Sequence, residues 1–378
     1  MLPWALKFLW APLVDNIGDA RMGRRRSWIS PLQTLLAILF VAMGLLRIDL
    51  AGQWTFIALI TLANIVSATQ DIATDGLAVE TLTASGDEEP LAWANGLQVG
   101  GFSGGMLLGG PLVLIAQDWI GQSATFIAVG VLLMLTLIPA RIWREGARAH
   151  DKPRSPAKLR HFLARPQAAR MLVVAALFNG QQMMTSTLIK PFLVDAGASA
   201  SLVGLVSGVW LILLAIGSGL VGGAAVTRFG VWRSAVAGLV LAWFSTSAWI
   251  IVARFGAVDA RTIISVSAIA GIFAGVAYVA FFVMFMKWAA GDQAGTDFTL
   301  LQCAESYGGI ALSSISCAIA GRWGFTADFL GASLVGLFAI AVVLGPARAL
   351  ARNPIGGSSR PVEAPSDEIR EASVDAST

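Results

Sequence analysis

Two aspartates stand in the stretch NIVSATQDIATDGLAVE, residues 64–80: Asp71 and Asp75. They follow the apolar run WTFIALITLANIVSA, which is suited to lipid. Four residues apart on a helix, the two acids share one face. Ionisable groups inside an apolar span are expensive, turn toward the protein interior and mark ion or substrate paths. Two negative charges so close in low dielectric repel each other, so the pair suits uptake and release of a proton. Gln70 stands beside them. The competing reading is structural: Asp71 ties its helix to a neighbour, and Asp75, nearer the helix end, caps or gates.

A third acid, Glu305, lies in DFTLLQCAESYGGIALSS. It is about half a span from the nearer membrane face, close to the midplane. Gln302 shares its helix face, and Tyr307 is close by. Lys7, in LPWALKFLW, needs a partner if buried but can instead snorkel to the interface. The segment FNGQQMMTSTLIKP, residues 178–191, adds neutral hydrogen-bonding groups at membrane depth: Asn179, Gln181, Gln182, Thr185 and Ser186. They suit a polar ligand and equally suit tying helices together. Lys190, at the end of that segment, reads as an interfacial anchor. Metal and covalent chemistry find little support. The histidines are His150 and His161, both outside the apolar runs, and Cys303 and Cys317 are fourteen residues apart on one helix. About 21 Å of helix separates them, too far for a disulfide. We therefore expect no cofactor, no metal and no enzymatic activity.

These side chains need a membrane scaffold to hold them. Of 378 residues, 56% are hydrophobic and only 13% charged, against about 25% charged in soluble domains. Apolar runs predict ten full spans, at 28–46, 54–78, 91–116, 121–140, 170–193, 203–226, 233–253, 262–286, 296–319 and 326–347. MLPWALKFLWAPLV adds an incomplete one. The basic residues alternate between sides: twenty fall on one set of loops and five on the other. The positive-inside rule then puts the long central loop and the C-terminus in the cytoplasm. The net charge of +3 thus reports topology and not nucleic-acid affinity.

The expected organisation is a first half-bundle over 1–140 with about five spans including the partial one, and a basic cytoplasmic linker over 141–169. A six-helix half-bundle follows over 170–350, with a disordered cytoplasmic tail over 351–378. The halves echo each other: LQVGGFSGGMLLGG is paired by LQCAESYGGIALSS. Internal repeats are a common way to build a transporter with its site between the halves. The glycines Gly100, Gly101, Gly104, Gly105, Gly109 and Gly110 predict a strip where another helix approaches closely.

The stretch PLVDNIGDARMGRRRSW resembles the signature between the second and third helices of the major facilitator superfamily. Asp15, Gly23, Arg24 and Arg25 stand in the matching places, with a longer gap between the Asp and the basic cluster. More narrowly, LPWALKFLWAPLVD with SATQDIATDGLAVE resembles the branch of muropeptide permeases, acetyl-CoA transporters and siderophore permeases. TDGLAVE and AGTDFTLLQ look closest to the siderophore group.

The resemblance implies an all-α integral membrane fold, a two-half helix bundle of major-facilitator type, here expected to lack the first helix and part of the second. It implies a cytoplasmic charge relay of Asp15, Arg24 and Arg25, and an eleventh helix carrying Glu305 along the substrate cavity and close to the helix of Lys7, which leaves a Lys7–Glu305 or a Lys7–Asp71 pair open. It implies a secondary transporter of the bacterial inner membrane, with protons, a small-molecule solute and the bilayer as partners. A ferric siderophore is the first expectation for the solute, since the apolar lining leans against sugar–peptides. A muropeptide or other bulky polar solute is the alternative, and a non-transporting membrane protein is the reading from another class.

Overall fold

Each apolar run becomes a helix because lipid offers no partner for backbone N–H and C=O groups. The computed structural model describes residues 2–19, 21–46, 52–142, 155–256 and 259–352. The expected tail lies outside the described residues from 353 onward, as does 143–154 of the expected linker.

A short helix α1 (Leu2–Leu6) passes through a tight turn, Lys7–Leu9, into α2 (Ala11–Asn16). The first half continues with α3 (Arg26–Leu45), α4 (Gln53–Leu82), α5 (Glu88–Ile120) and α6 (Gln122–Leu135, extended by Leu137–Ile142). The linker contributes α7 (Leu159–Leu163). The second half holds α8 (Ala168–Leu177), α9 (Gly180–Asp195), α10 (Ala200–Phe229), α11 (Val231–Phe255), α12 (Ala260–Ala289) and α13 (Ala294–Arg352).

Eight of these segments are long and apolar enough to cross a membrane. The ten expected spans reconcile with that number through two local events. Gly324 adopts φ 81° and bends α13 into two arms, which accounts for two spans in one segment; a left-handed φ of this kind favours glycine. Phe178 and Asn179 interrupt the span of 168–195 between α8 and α9, so neither piece alone has full length. That interruption brings Asn179 to membrane depth with its side chain free for other work.

In the first half α3 packs on α6 and α4, and in the second α12 packs on α10 and α11 while α13 packs on α8 and α9. The halves meet along two seams: α5 against α10 and α12, and α2 with α4 against α13. The largest apolar cluster lies at the end that carries the linker. It joins Val79, Leu91 and Ala92 of the first half to Phe178, Phe281, Phe285, Trp288 and Phe298 of the second. A smaller cluster around Phe192, Trp249 and Phe329 closes the opposite end of the second half.

The glycine strip of α5 is a correction. A Cβ at Gly100, Gly101, Gly104, Gly105, Gly109 or Gly110 would meet nothing within 4 Å. The close approach occurs one turn earlier, at Gly96, where a Cβ would come within 2.8 Å of the Ser218 carbonyl of α10. Sequence density of glycine marked the helix but not the face it uses.

Candidate functional site

Lys7 is the centre of the candidate site. It is 3% exposed, so it does not snorkel. Its Nζ donates to Asp71 Oδ2 of α4 and, at 2.6 Å, to Gln302 Oε1 of α13. Of the two partners open from sequence, Asp71 makes the ion pair. Trp4 adds its ring 5.2 Å from Nζ. A buried ammonium is stable only when paired and hydrogen-bonded, and here the two acceptors come from opposite halves. Asp75, one turn on from Asp71, is also buried and lies within reach of Lys7, Asp71 and Gln302. Gln98 of α5 donates to its Oδ1 at 3.0 Å, while Oδ2 is buried with no hydrogen-bond partner.

Glu305 sits next along α13, within electrostatic reach of Lys7. Its Oε1 accepts from Tyr278 Oη of α12 at 3.1 Å and from Asn179 Nδ2 at 3.3 Å, and Asn179 also donates to Tyr278 Oη. The expected neighbour Tyr307 instead is half exposed and meets the Phe8 ring edge-on at 6.4 Å. Tyr278 supplies the phenol. Gln181 donates to the Trp243 carbonyl at 3.3 Å and to Ser247 Oγ at 3.2 Å, and Gln182 accepts from Thr246 at 3.3 Å. Asn179, Gln181, Gln182, Thr246 and Tyr278 line one cavity inside the second half. Gln70 turns away from the acids and donates to Gln33 of α3 at 2.6 Å.

The linker end carries a second cluster. Arg25 is fully buried and contacts Asp15 Oδ1 at 2.5 Å and Glu80 Oε1 at 2.7 Å. Burial alone would lower its pKa, but Asp15 and Glu80 outweigh burial and raise it, so the guanidinium stays charged. Arg24 pairs with Glu80 and donates to the Asp15 carbonyl at 2.7 Å. Gly23 turns the chain here with φ 93°. Two glycines make room for the pair. A Cβ on Gly76 would lie 2.5 Å from Arg25 Cζ, and one on Gly295 would lie 2.8 Å from Asp15 Oδ1.

The Asp15 carboxylate also crosses to the other half. Its Oδ2 accepts from Thr296 N at 2.6 Å and from Thr296 Oγ1 at 2.5 Å, in the first turn of α13. Glu88 repeats the device at the other seam, accepting from Val231 N, the first residue of α11, at 3.1 Å and from Lys287 Nζ at 2.6 Å. Helix N-termini carry unpaired N–H groups and partial positive charge, so carboxylates hold them well.

Sequence reading missed Glu80, Glu88, Thr296 and the role of Tyr278. Glu80 closes the quoted TDGLAVE, one span away from a cluster of three arginines, and that complementarity was the available signal.

The profile of the Major Facilitator Superfamily matches residues 2–255. The chain belongs to the Major Facilitator Superfamily. Its apolar helices make it a multi-pass membrane protein of that family, and its relatives support one branch. It is 31% identical over 238 residues to the anhydromuropeptide permease of Escherichia coli K12, covering 61% of this chain and 48% of that protein. The chain thus spans about half the length of this curated relative. Among solved structures it is similar to the transporter FucP in its outward conformation, with TM-score 0.68, 14% identity, and 92% and 88% of the two chains covered. It is also similar to a bacterial homologue of the iron transporter ferroportin in an outward-facing state, with TM-score 0.67, 16% identity, and 93% and 89% covered. At such identities these two structures speak for the fold alone. The muropeptide branch of the sequence resemblance is supported and the siderophore branch is not.

Proposed function

We propose that this chain is a proton-driven secondary transporter that imports a solute of the muropeptide class by alternating access. The observation that carries the reading is Lys7, buried between the halves and bonded to Asp71 on one and Gln302 on the other. Neutralising Asp71 by a proton would strand a buried ammonium, which is unfavourable. Protonation and the contact between halves are therefore linked through one side chain. Glu305 supports the same reading. Tyr278 and Asn179, its partners, carry no charge at neutral pH, so its carboxyl can gain or lose a proton without breaking an ion pair.

The positive-inside distribution supports a cytoplasmic linker end. With Asp15–Thr296 and Glu88–Val231 joined at that end, the molecule fits an outward-facing state. The relative and the lining support the substrate class. The cavity wall sets amides, hydroxyls and Tyr278 among apolar side chains such as Phe178 and Leu239, which weakens the objection that the path is too apolar for a sugar–peptide. The siderophore reading finds no support among the relatives named above.

Uptake of radiolabelled anhydromuropeptide in cells lacking their own permease tests the reading. Expression of this chain should give accumulation that an uncoupler abolishes. A well-inserted chain that accumulates nothing, or accumulates equally with uncoupler, removes it.

A further inference from the structure

A second cavity, of about 180 Å³, opens toward the end opposite the linker, between α9, α10, α11 and α12, with Met106 of α5 at its side. Its chemistry is one-sided. Trp210 and Ser267 line it, and their Nε1 and Oγ atoms are buried with no hydrogen-bond partner. Ser267 is only 2% exposed. Lys190 lines it as well, exposed and outside every ion pair among the described residues. No carboxylate is among its lining residues. Trp249, Ile189 and Leu211 supply apolar wall.

A buried donor left unpaired is unfavourable, and an acceptor on a ligand restores the lost bond. An ammonium without an acid beside it attracts an anion and forms a strong, charge-assisted hydrogen bond with it. Together these groups select a solute rich in acceptors, with one negative charge and an apolar face. We propose that this cavity binds a carboxylate-bearing N-acyl solute, its carboxylate at Lys190 and its amide carbonyl at Trp210 and Ser267.

The cavity's position adds a route. Gln182 and Thr246 line both this cavity and the one that holds Asn179 and Tyr278. A solute caught at Lys190 is therefore one layer of side chains from the groups that hold Glu305. The proposal deepens the muropeptide reading and rests on it for the kind of N-acyl compound.

Calorimetric titration of the purified full chain in detergent tests it, with three probes. These are N-acetylmuramyl dipeptide, its fully amidated form, and N-acetyl-trialanine with a free carboxylate. The wild type should bind both carboxylates more tightly than the amide. Lys190→Gln should weaken carboxylate binding about tenfold and erase the preference over the amide, and Lys190→Arg should retain it. Trp210→Phe and Ser267→Ala should weaken all three probes several-fold. Variants that bind every probe as the wild type does overturn the site, and leave the muropeptide reading to the uptake assay. Binding of N-acetyl-trialanine through Lys190, with none of the muramyl probe, supports the site and removes the muropeptide reading. A wild type that binds neither carboxylate overturns both.

Discussion

At the scale of single residues, the energetics of the site turn on Lys7. Its charge is out of water and held by Asp71 and Gln302. Asp71→Asn should destabilise the protein by up to about 3 kcal/mol, because the buried ammonium loses its direct ion-pair partner, with Asp75 still within reach. Lys7→Met combined with Asp71→Asn should recover much of that loss. Thermal unfolding of the single and double variants in detergent measures the coupling, and strictly additive effects would show that the two side chains do not act together. Glu305 differs, since its partners are neutral. Glu305→Gln keeps the size and hydrogen-bonding capacity of the side chain, so the protein should insert and fold normally. It should lose uncoupler-sensitive accumulation by at least tenfold, measured as uptake with matched membrane levels. Retained accumulation would take Glu305 out of the coupling path. The residues themselves were legible in the sequence, because charge inside an apolar run is conspicuous. Their partners were not. Whether Lys7 meets Asp71 or Glu305, and whether Tyr278 or Tyr307 reaches Glu305, depends on how three helices rotate against one another. Linear spacing along one helix favoured Tyr307, and the phenol arrived from another.

At the scale of elements, glycine shows the same limit. The spans were readable because each must satisfy its own backbone in lipid, and hydropathy reports that locally. Helix faces were less so. Six glycines in α5 announced a contact, yet their Cβ positions open onto empty space, while the single Gly96 touches α10. Gly76 and Gly295 gave no signal, yet they create the room that the buried Arg25 and Asp15 occupy. Gly76→Ala should therefore push a methyl group into the guanidinium and cost about 1–3 kcal/mol through overpacking. Gly101→Ala should be neutral or stabilising by up to about 1 kcal/mol, since alanine favours the helix and nothing crowds it. Unfolding midpoints of the two variants, measured side by side, check the contrast. Equal behaviour would mean that Arg25 moves aside without penalty.

At the scale of the whole molecule, the two seams between the halves close at the linker end with the same device. Asp15 caps the first turn of α13, and Glu88 caps the first residue of α11 while holding Lys287. Both acids come from the first half and both helix ends from the second. Each contact is a carboxylate on a helix N-terminus, worth about 0.3–2 kcal/mol according to burial. Asp15 is buried and Glu88 is about one-third exposed, so Asp15 should be the stronger of the two. Opening this end requires both to break, and a conformational equilibrium shifts only by the difference in free energy between its states. Asp15→Asn and Glu88→Gln together should remove about 2–3 kcal/mol of closure. That shifts the ratio of closed to open forms by roughly 30- to 150-fold. Spin labels at Ala84, in the turn between α4 and α5, and at Phe229, at the end of α10, straddle one seam. In a background without Cys303 and Cys317, the double variant should show a longer, broader distance distribution than the parent. Asp15→Asn alone should move it further than Glu88→Gln alone. An unchanged distribution would assign closure to the apolar cluster of Phe281, Phe285 and Trp288, leaving the two carboxylates as local caps.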